Sequence, residues 1–228
     1  MTPPTRPDDS VTPHVASVNV GAARTLADRP RATGIDKRPV TGPIAVGVPG
    51  PAASGMTGDA IGDTAHHGGP DQAVYAVAGE DLDHFATVVG RPLAAGTFGE
   101  NLTTRGLDVS GAEIGARWAI GSTVLEVSAP RIPCSTFTAW MGRDDWRSIY
   151  VAAGRPGAYL RVIEPGAISA GDAIEVRSTP GHGITVADAY RAETDDADRL
   201  VDLVDLDAYP VAARERARVR LERRPDRS

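Results

Sequence analysis

The chain holds one cysteine, Cys134, within SAPRIPCSTF at residues 128–137. It follows Pro130, Arg131 and Pro133, where a strand-like run passes into a helical one. Unpaired N–H groups at a helix start, and a guanidinium three residues away, favour thiolate over thiol. The two prolines restrict the backbone and so aim the sulfur. Thiolate is the form that attacks electrophiles and binds soft metals. The competing reading is a small buried hydrophobe, the common fate of a free cysteine.

Three further groups of residues carry chemical potential. The first is GDAIGDTAHHGGPDQAVYAV at 58–77, which contains Asp63, His67, Gly68 and Gly69. Adjacent histidines rarely chelate one ion, and the Gly-Lys-Ser/Thr ending of a P-loop is missing. Glycines at 68 and 69 permit close backbone approach, so His67 is a candidate to be held against a ligand; a polar turn before a strand is the alternative. The second is GTFGENLTTRGLD at 96–108, with Glu100, Asn101, Thr103 and Thr104. Asparagine donates and accepts, which suits the edge of a heterocycle; a simple polar hairpin is the alternative. The third is a scattered basic set: Lys37 in TGIDKRPV, Arg131, and Arg161 in GAYLRVIEPG. Together they would hold an anion such as phosphate; singly, each reads as a surface charge. Arg161 within a strand is costly unless paired.

These residues need a scaffold, and the composition says which kind. A chain of 228 residues suffices for one large domain, or one domain with an appendage. Aromatics are only 5%, so aliphatic side chains must fill the core. Glycine numbers 25 and proline 18, which points to turns and short strands. One cysteine excludes an intrachain disulfide, and a cysteine-based zinc site or iron–sulfur cluster built from this chain alone. A reducing compartment is expected, and the cytoplasm in particular. The N-terminal MTPPTRPDDSVTPH has no apolar signal-peptide core, and no apolar run approaches the roughly 18 residues of a membrane span. A net charge of −6 weighs against nucleic acid as the main partner.

Residues 1–14, with four prolines and no periodicity, are expected to be a disordered leader. Strands are expected at 15–20, 43–48, 73–77, 118–121, 123–129, 158–163 and 173–177. They do not alternate regularly with helices, so a barrel or sandwich is favoured over a doubly wound sheet. The fold class is therefore mainly β with α. Helices are expected at 79–90, where Leu82, Phe85 and Val89 share a face, and at 134–142 and 144–154. After residue 178 three short helices follow, about 185–192, 195–203 and 207–224, with Thr185 and Asp207 as caps. Residues 193–207 hold seven acids and one base, and 211–228 seven arginines and three acids. These blocks suit pairing across a helical hairpin; the same charged helices suit a homodimer or partner surface, or a solvated face.

In order along the chain, TGIDKRPV, GDAIGDTAHHGGPDQAVYA, GRPLAAGTFGENLTTRGLDVSGAEIG, SAPRIPC and GAYLRVIEPGAISAGDAIEV resemble the MOSC domain. That domain is named for the C-terminal part of molybdenum cofactor sulfurase. The likeness runs from about residue 15 to 178. The tail, 179–228, resembles the three-helix extension of the small bacterial stand-alone subgroup. The resemblance implies a β-barrel fold, a bound molybdenum cofactor (Mo-molybdopterin), and Cys134 as the protein ligand to molybdenum. It implies reduction of N-hydroxylated compounds, such as hydroxylated nucleobases and amidoximes, with two electrons and two protons. Under it Lys37, Arg131 and Arg161 are candidates for the pterin phosphate and ring. His67, Gly68 and Gly69 would shape the cofactor pocket. Asn101 and Glu100 would lie near metal or pterin, and Asp63 would be a supporting partner or proton relay. Ile61 and Gly62 stand in a segment where the family often has glutamine. No ferredoxin-like segment is present, so electrons are expected from a separate reductase. Two other readings stay open: a sulfur carrier or cofactor chaperone with a persulfide on Cys134, and a non-catalytic binding module with a structural cysteine.

Overall fold

The structure, a computed structural model, describes residues 11–26, 32–64 and 67–223. Residues 1–10 of the expected leader, and His66, lie outside the described residues. The strands are β1 (His14–Val20), β2 (Arg24–Thr25), β3 (Ala32–Thr33), β4 (Arg38–Pro39), β5 (Ile44–Val46), β6 (Val74–Ala78), β7 (Leu102–Arg105), β8 (Arg117–Ile120), β9 (Thr123–Pro130), β10 (Ala158–Glu164), β11 (Gly166–Ile168) and β12 (Ile174–Ser178). The helices are α1 (Gly79–Val89), α2 (Ser135–Met141), α3 (Trp146–Ala153), α4 (Val186–Thr194), α5 (Val201–Val204) and α6 (Val211–Glu222), with 3-10 turns at Pro70–Gln72 and Ala197–Leu200.

Eight strands form one sheet in the order β12-β8-β9-β10-β6-β7-β1-β4. All neighbours are antiparallel except β6 and β7, the pair joined through α1. The sheet curls shut: His14 bridges Ala173, Val15 N donates to Asp172 O at 2.9 Å, and Ile174 N donates to Pro13 O at 2.8 Å. Closure removes most of the unpaired edge that an open sheet would expose. Pro13 and His14 therefore belong to the closure and not to a disordered leader, because their backbone groups are paired with the start of β12.

Alternation along the strands builds two cores. Val74 and Ala76 of β6, Leu125 and Val127 of β9 and Leu160 of β10 point into the barrel with Trp118 and Ile120. Tyr75 and Val77 of β6 and Tyr159 of β10 point outward and are buried under α1, α2 and α3. The outer layer concentrates the few aromatics: Phe85, Phe98, Phe137, Trp146 and Tyr150 pack with ring centroids 5.2–5.8 Å apart. Such contacts favour a rigid, water-free layer over a mobile one.

The C-terminal helices join the barrel's hydrophobic cluster through Val186, Ala189, Leu200, Leu203, Tyr209 and Ala213. Thr185 caps α4 with a reciprocal box: Asp188 N donates to Thr185 Oγ1 at 3.1 Å, and Thr185 N to Asp188 Oδ2 at 3.2 Å. Asp207 does not cap α6. Pro210, with φ preset, stands before the first turn, and Asp207 instead accepts from Arg214 at 3.0 Å. Arg218 pairs with Asp205 and Arg220 with Glu193, so the opposite charge blocks do meet; exposed pairs of this kind contribute only about 0–1 kcal/mol each. Among the described residues no helix is long and apolar enough to cross a membrane.

Candidate functional site

Tyr75 and Tyr159 lie side by side on the outer face of the barrel, ring centroids 5.1 Å apart. They form part of the lining of a cavity of about 360 Å³. Residues 32–35 and 60–63 make one wall, the 67–72 turn contributes His67, Gly68 and Gln72, and Arg131, Cys134 and the start of α2 make a third side. The first wall exists because two backbones touch: a Cβ on Gly34 would collide with Ala60 O, and one on Gly62 with Ala32 O. At Gly68, φ is 84°, and a Cβ there would lie 2.9 Å from the Ala52 carbonyl carbon.

Cys134 occupies the position just before α2, in extended backbone (φ −109°, ψ 168°). Pro133 O accepts from Arg147 Nη1 at 3.0 Å, which fixes the approach to the cysteine. Burial pushes the thiol up. A hydrogen bond with His67, the charge of Arg131 and the Phe137 N–H outweigh it and bring the thiol down to about 6. Arg131 is 7% exposed, its guanidinium carbon 4.6 Å from the Phe137 ring centroid and 5.1 Å from that of Tyr75. Burial works against its charge, yet Tyr159, Tyr75 and Cys134 hold it above the ordinary arginine value. Its Nε is buried without a hydrogen-bond partner.

Asp59 organises the cavity's other cation. Its fully buried carboxylate accepts from Lys37 Nζ, Gly21 N (3.0 Å), Ser54 Oγ (2.7 Å) and Asn101 Nδ2 (3.0 Å). Burial lowers the Lys37 pKa, and Asp59 opposes that shift. Lys37 thus lines the cavity with its ammonium committed to a carboxylate. Asn101 also lines it with its amide in use: Oδ1 accepts from Tyr75 N (3.1 Å), and Nδ2 serves Asn19 O and Asp59.

The structure gathers Cys134, Arg131, His67, Gly68, Asp63, Lys37 and Asn101 on one cavity. It places three expected residues elsewhere. Glu100 is not on the lining: its carboxylate turns inward to accept from Gly96 N, Phe98 N and Thr103 Oγ1, and burial raises its pKa. Gly69 stands behind Gly68, its N–H donated to Ala53 O at 2.9 Å. Arg161 points away from the cavity, bound to Asp71, Glu126 and Ala208 O. Asp59, Gln72, Tyr75 and Tyr159 escaped the sequence reading. Asp59 had a signal, since Gly58-Asp59 and Gly62-Asp63 are twin pairs, but nothing local tells which aspartate turns inward. Gln72 holds the turn by accepting from Gly68 N at 3.2 Å.

Comparison with known proteins adds the family. The MOSC domain model matches residues 63–175. The uncharacterized protein YflK of Bacillus subtilis (strain 168) is 34% identical over 188 residues, 82% of this chain and 83% of that protein. Protein YiiM of Escherichia coli (strain K12) is 32% identical over 124 residues, 53% of this chain and 55% of its own length. The crystal structure of YiiM from Geobacillus stearothermophilus superposes with a TM-score of 0.74 at 28% identity, covering 92% of this chain and 99% of that one. YiiM from Escherichia coli gives a TM-score of 0.70 at 22% identity over 92% of each chain, a likeness of fold.

Proposed function

This chain belongs to the MOSC domain family, and from that premise we propose that it binds a molybdenum cofactor in the cavity and reduces N-hydroxylated compounds, hydroxylated nucleobases and amidoximes among them. One observation carries the reading: a thiol brought down to about 6 lines the cavity beside a buried guanidinium whose Nε has no partner.

The residues fit the group. A molybdenum cofactor brings a soft metal, a planar ring system and a phosphate. Cys134 meets the metal as a soft thiolate. Tyr75 and Tyr159 offer ring surfaces. Arg131 Nε is a buried donor lacking an acceptor, and a guanidinium is suited to phosphate oxygen. The cavity volume lies in the range of small-molecule sites, about 300–1,000 Å³. Among the described residues no group of three or more His, Cys, Asp or Glu is placed to hold a metal, and Cys134 would be the thiolate that holds a metal brought by the cofactor.

When bound, the cofactor supplies two-electron oxygen-atom transfer. The chain's residues do the rest. Cys134 Sγ anchors the metal, and the His67 hydrogen bond with Arg131's charge keeps that sulfur ionised. Arg131 holds the anionic end. Lys37 sets the charge of the wall through Asp59 instead of gripping phosphate itself. Cleaving N–OH to N–H and water consumes two electrons and two protons; His67 and Asp63 both line the cavity and would be the proton donors on that side. The electrons come from a separate reductase, since one cysteine holds no iron–sulfur cluster, and the cytoplasm is the compartment that suits such a partner.

The test is reduction of a hydroxylated nucleobase by cofactor-loaded protein with reduced methyl viologen as donor. Wild type is expected to turn over, and Cys134→Ala to fall to background with an unchanged circular dichroism spectrum. Equal rates in both would contradict the proposal. The same activated thiol favours a second reading, a sulfur carrier; intact mass spectrometry of protein purified without reductant would then show one added sulfur atom on Cys134.

A further inference from the structure

We infer that Arg161 is a positioning residue through which the C-terminal helices hold the 67–72 wall of the cavity in place. Arg161 stands two residues along β10 from Tyr159, which lines the cavity. Its side chain is 20% exposed, and all three of its nitrogens are engaged. Nε and Nη2 reach Asp71 Oδ1 at 3.0 and 2.7 Å. Nη1 donates to Glu126 Oε1 at 2.8 Å and to Ala208 O at 3.0 Å.

The two ends of this fork lie in different parts of the molecule. Asp71 belongs to the 3-10 turn Pro70–Gln72, directly after the Gly68-Gly69 pair. Its own carbonyl accepts from Ser128 Oγ at 2.6 Å, and its neighbour Gln72 holds Gly68 N. His67, Gly68 and Gln72 face the cavity. Ala208 lies in the turn between α5 and α6, followed by Tyr209, which is buried and donates to Glu193 at 3.2 Å. A planar guanidinium serves three acceptors in fixed directions, which a lysine ammonium does not. Glu126 is only 12% exposed, so the cluster is a partly buried network and not an isolated surface pair. Without Arg161, Asp71 loses its charged partner, and the turn beside His67 loses its tie to the helices.

Hydrogen exchange on the full-length, cofactor-free chain tests this directly. In Arg161→Gln, amides of 67–72 and 206–210 are expected to exchange about tenfold faster, with β6 and β9 unchanged. Arg161→Lys should recover part of the protection. Wild-type exchange over 67–72 in Arg161→Gln would overturn the inference, even if 206–210 loosened. Should Arg161→Gln fail to fold, Asp71→Asn asks the same question from the exposed rim. Faster exchange at 206–210 supports the link, and wild-type exchange there overturns it. A second readout rests on the proposed function: cofactor-loaded Arg161→Gln should lose molybdenum on dialysis several-fold faster than wild type. If wild type binds no molybdenum, the cofactor reading fails while the exchange data still decide the role of Arg161.

Discussion

At Cys134 burial opposes ionisation, and His67, Arg131 and the Phe137 N–H overcome it. Alkylation of the cofactor-free protein by iodoacetamide should therefore rise with pH through about 6, the thiolate forming above that value. His67→Ala removes the largest favourable contribution, so its midpoint should climb toward the ordinary 9.0. A wild-type midpoint already near 9.0 would refute the arrangement. Asp59 is the second residue with a large expected effect. Asp59→Asn leaves the Lys37 ammonium, 6% exposed, without its counter-charge. The expected cost is about 3 kcal/mol in urea unfolding; a change within about 0.5 kcal/mol would show that the pair is dispensable. Cys134 was legible because Pro-Arg-x-Pro-Cys announces a stiffened turn at a helix start. Glu100 and Arg161 were not, because which way a side chain faces depends on partners far along the chain: Arg161 meets Asp71, Glu126 and Ala208.

Among the elements, the least regular one matters most to the site. The wall of 32–35 against 60–63 contains two-residue β3 and no helix, and its contact depends on Gly34 and Gly62 lacking side chains. Gly34→Ala should force these backbones apart at about 1–3 kcal/mol and weaken ligand retention. Unchanged denaturant midpoint and retention would show that the contact yields freely. Short β-rich runs bounded by Gly, Pro and Asp exposed β6, β9 and β10, and the three-four spacing of Leu82, Phe85 and Val89 exposed α1. Thr185 announced α4 as a cap, and the structure adds its reciprocal box with Asp188. The hairpin of β2 and β3 left no such mark, because two-residue strands carry no period.

For the whole molecule, barrel closure and the helical tail answer one need. Closing β1 on the start of β12 buries the aliphatic interior, and the tail adds Val186, Leu200, Leu203 and Tyr209 to that cluster. Most of the scarce aromatics go to the outside layer, beneath α1, α2 and α3, where the cavity lies, while Trp118 and Tyr209 stay with the barrel cluster. The order of motifs made the barrel and the family legible; the join between tail and cavity, through Arg161, was not, because the opposite charges within 193–220 pair with each other and nothing in the sequence marks the backbone contact at Ala208. The most direct test of the cofactor reading is molybdenum per chain, by elemental analysis, in protein from cells that make the cofactor, with Cys134→Ala purified alongside. Near-stoichiometric molybdenum is expected in wild type and its loss in the variant; equal molybdenum in both, or none in either, would contradict cofactor binding through Cys134.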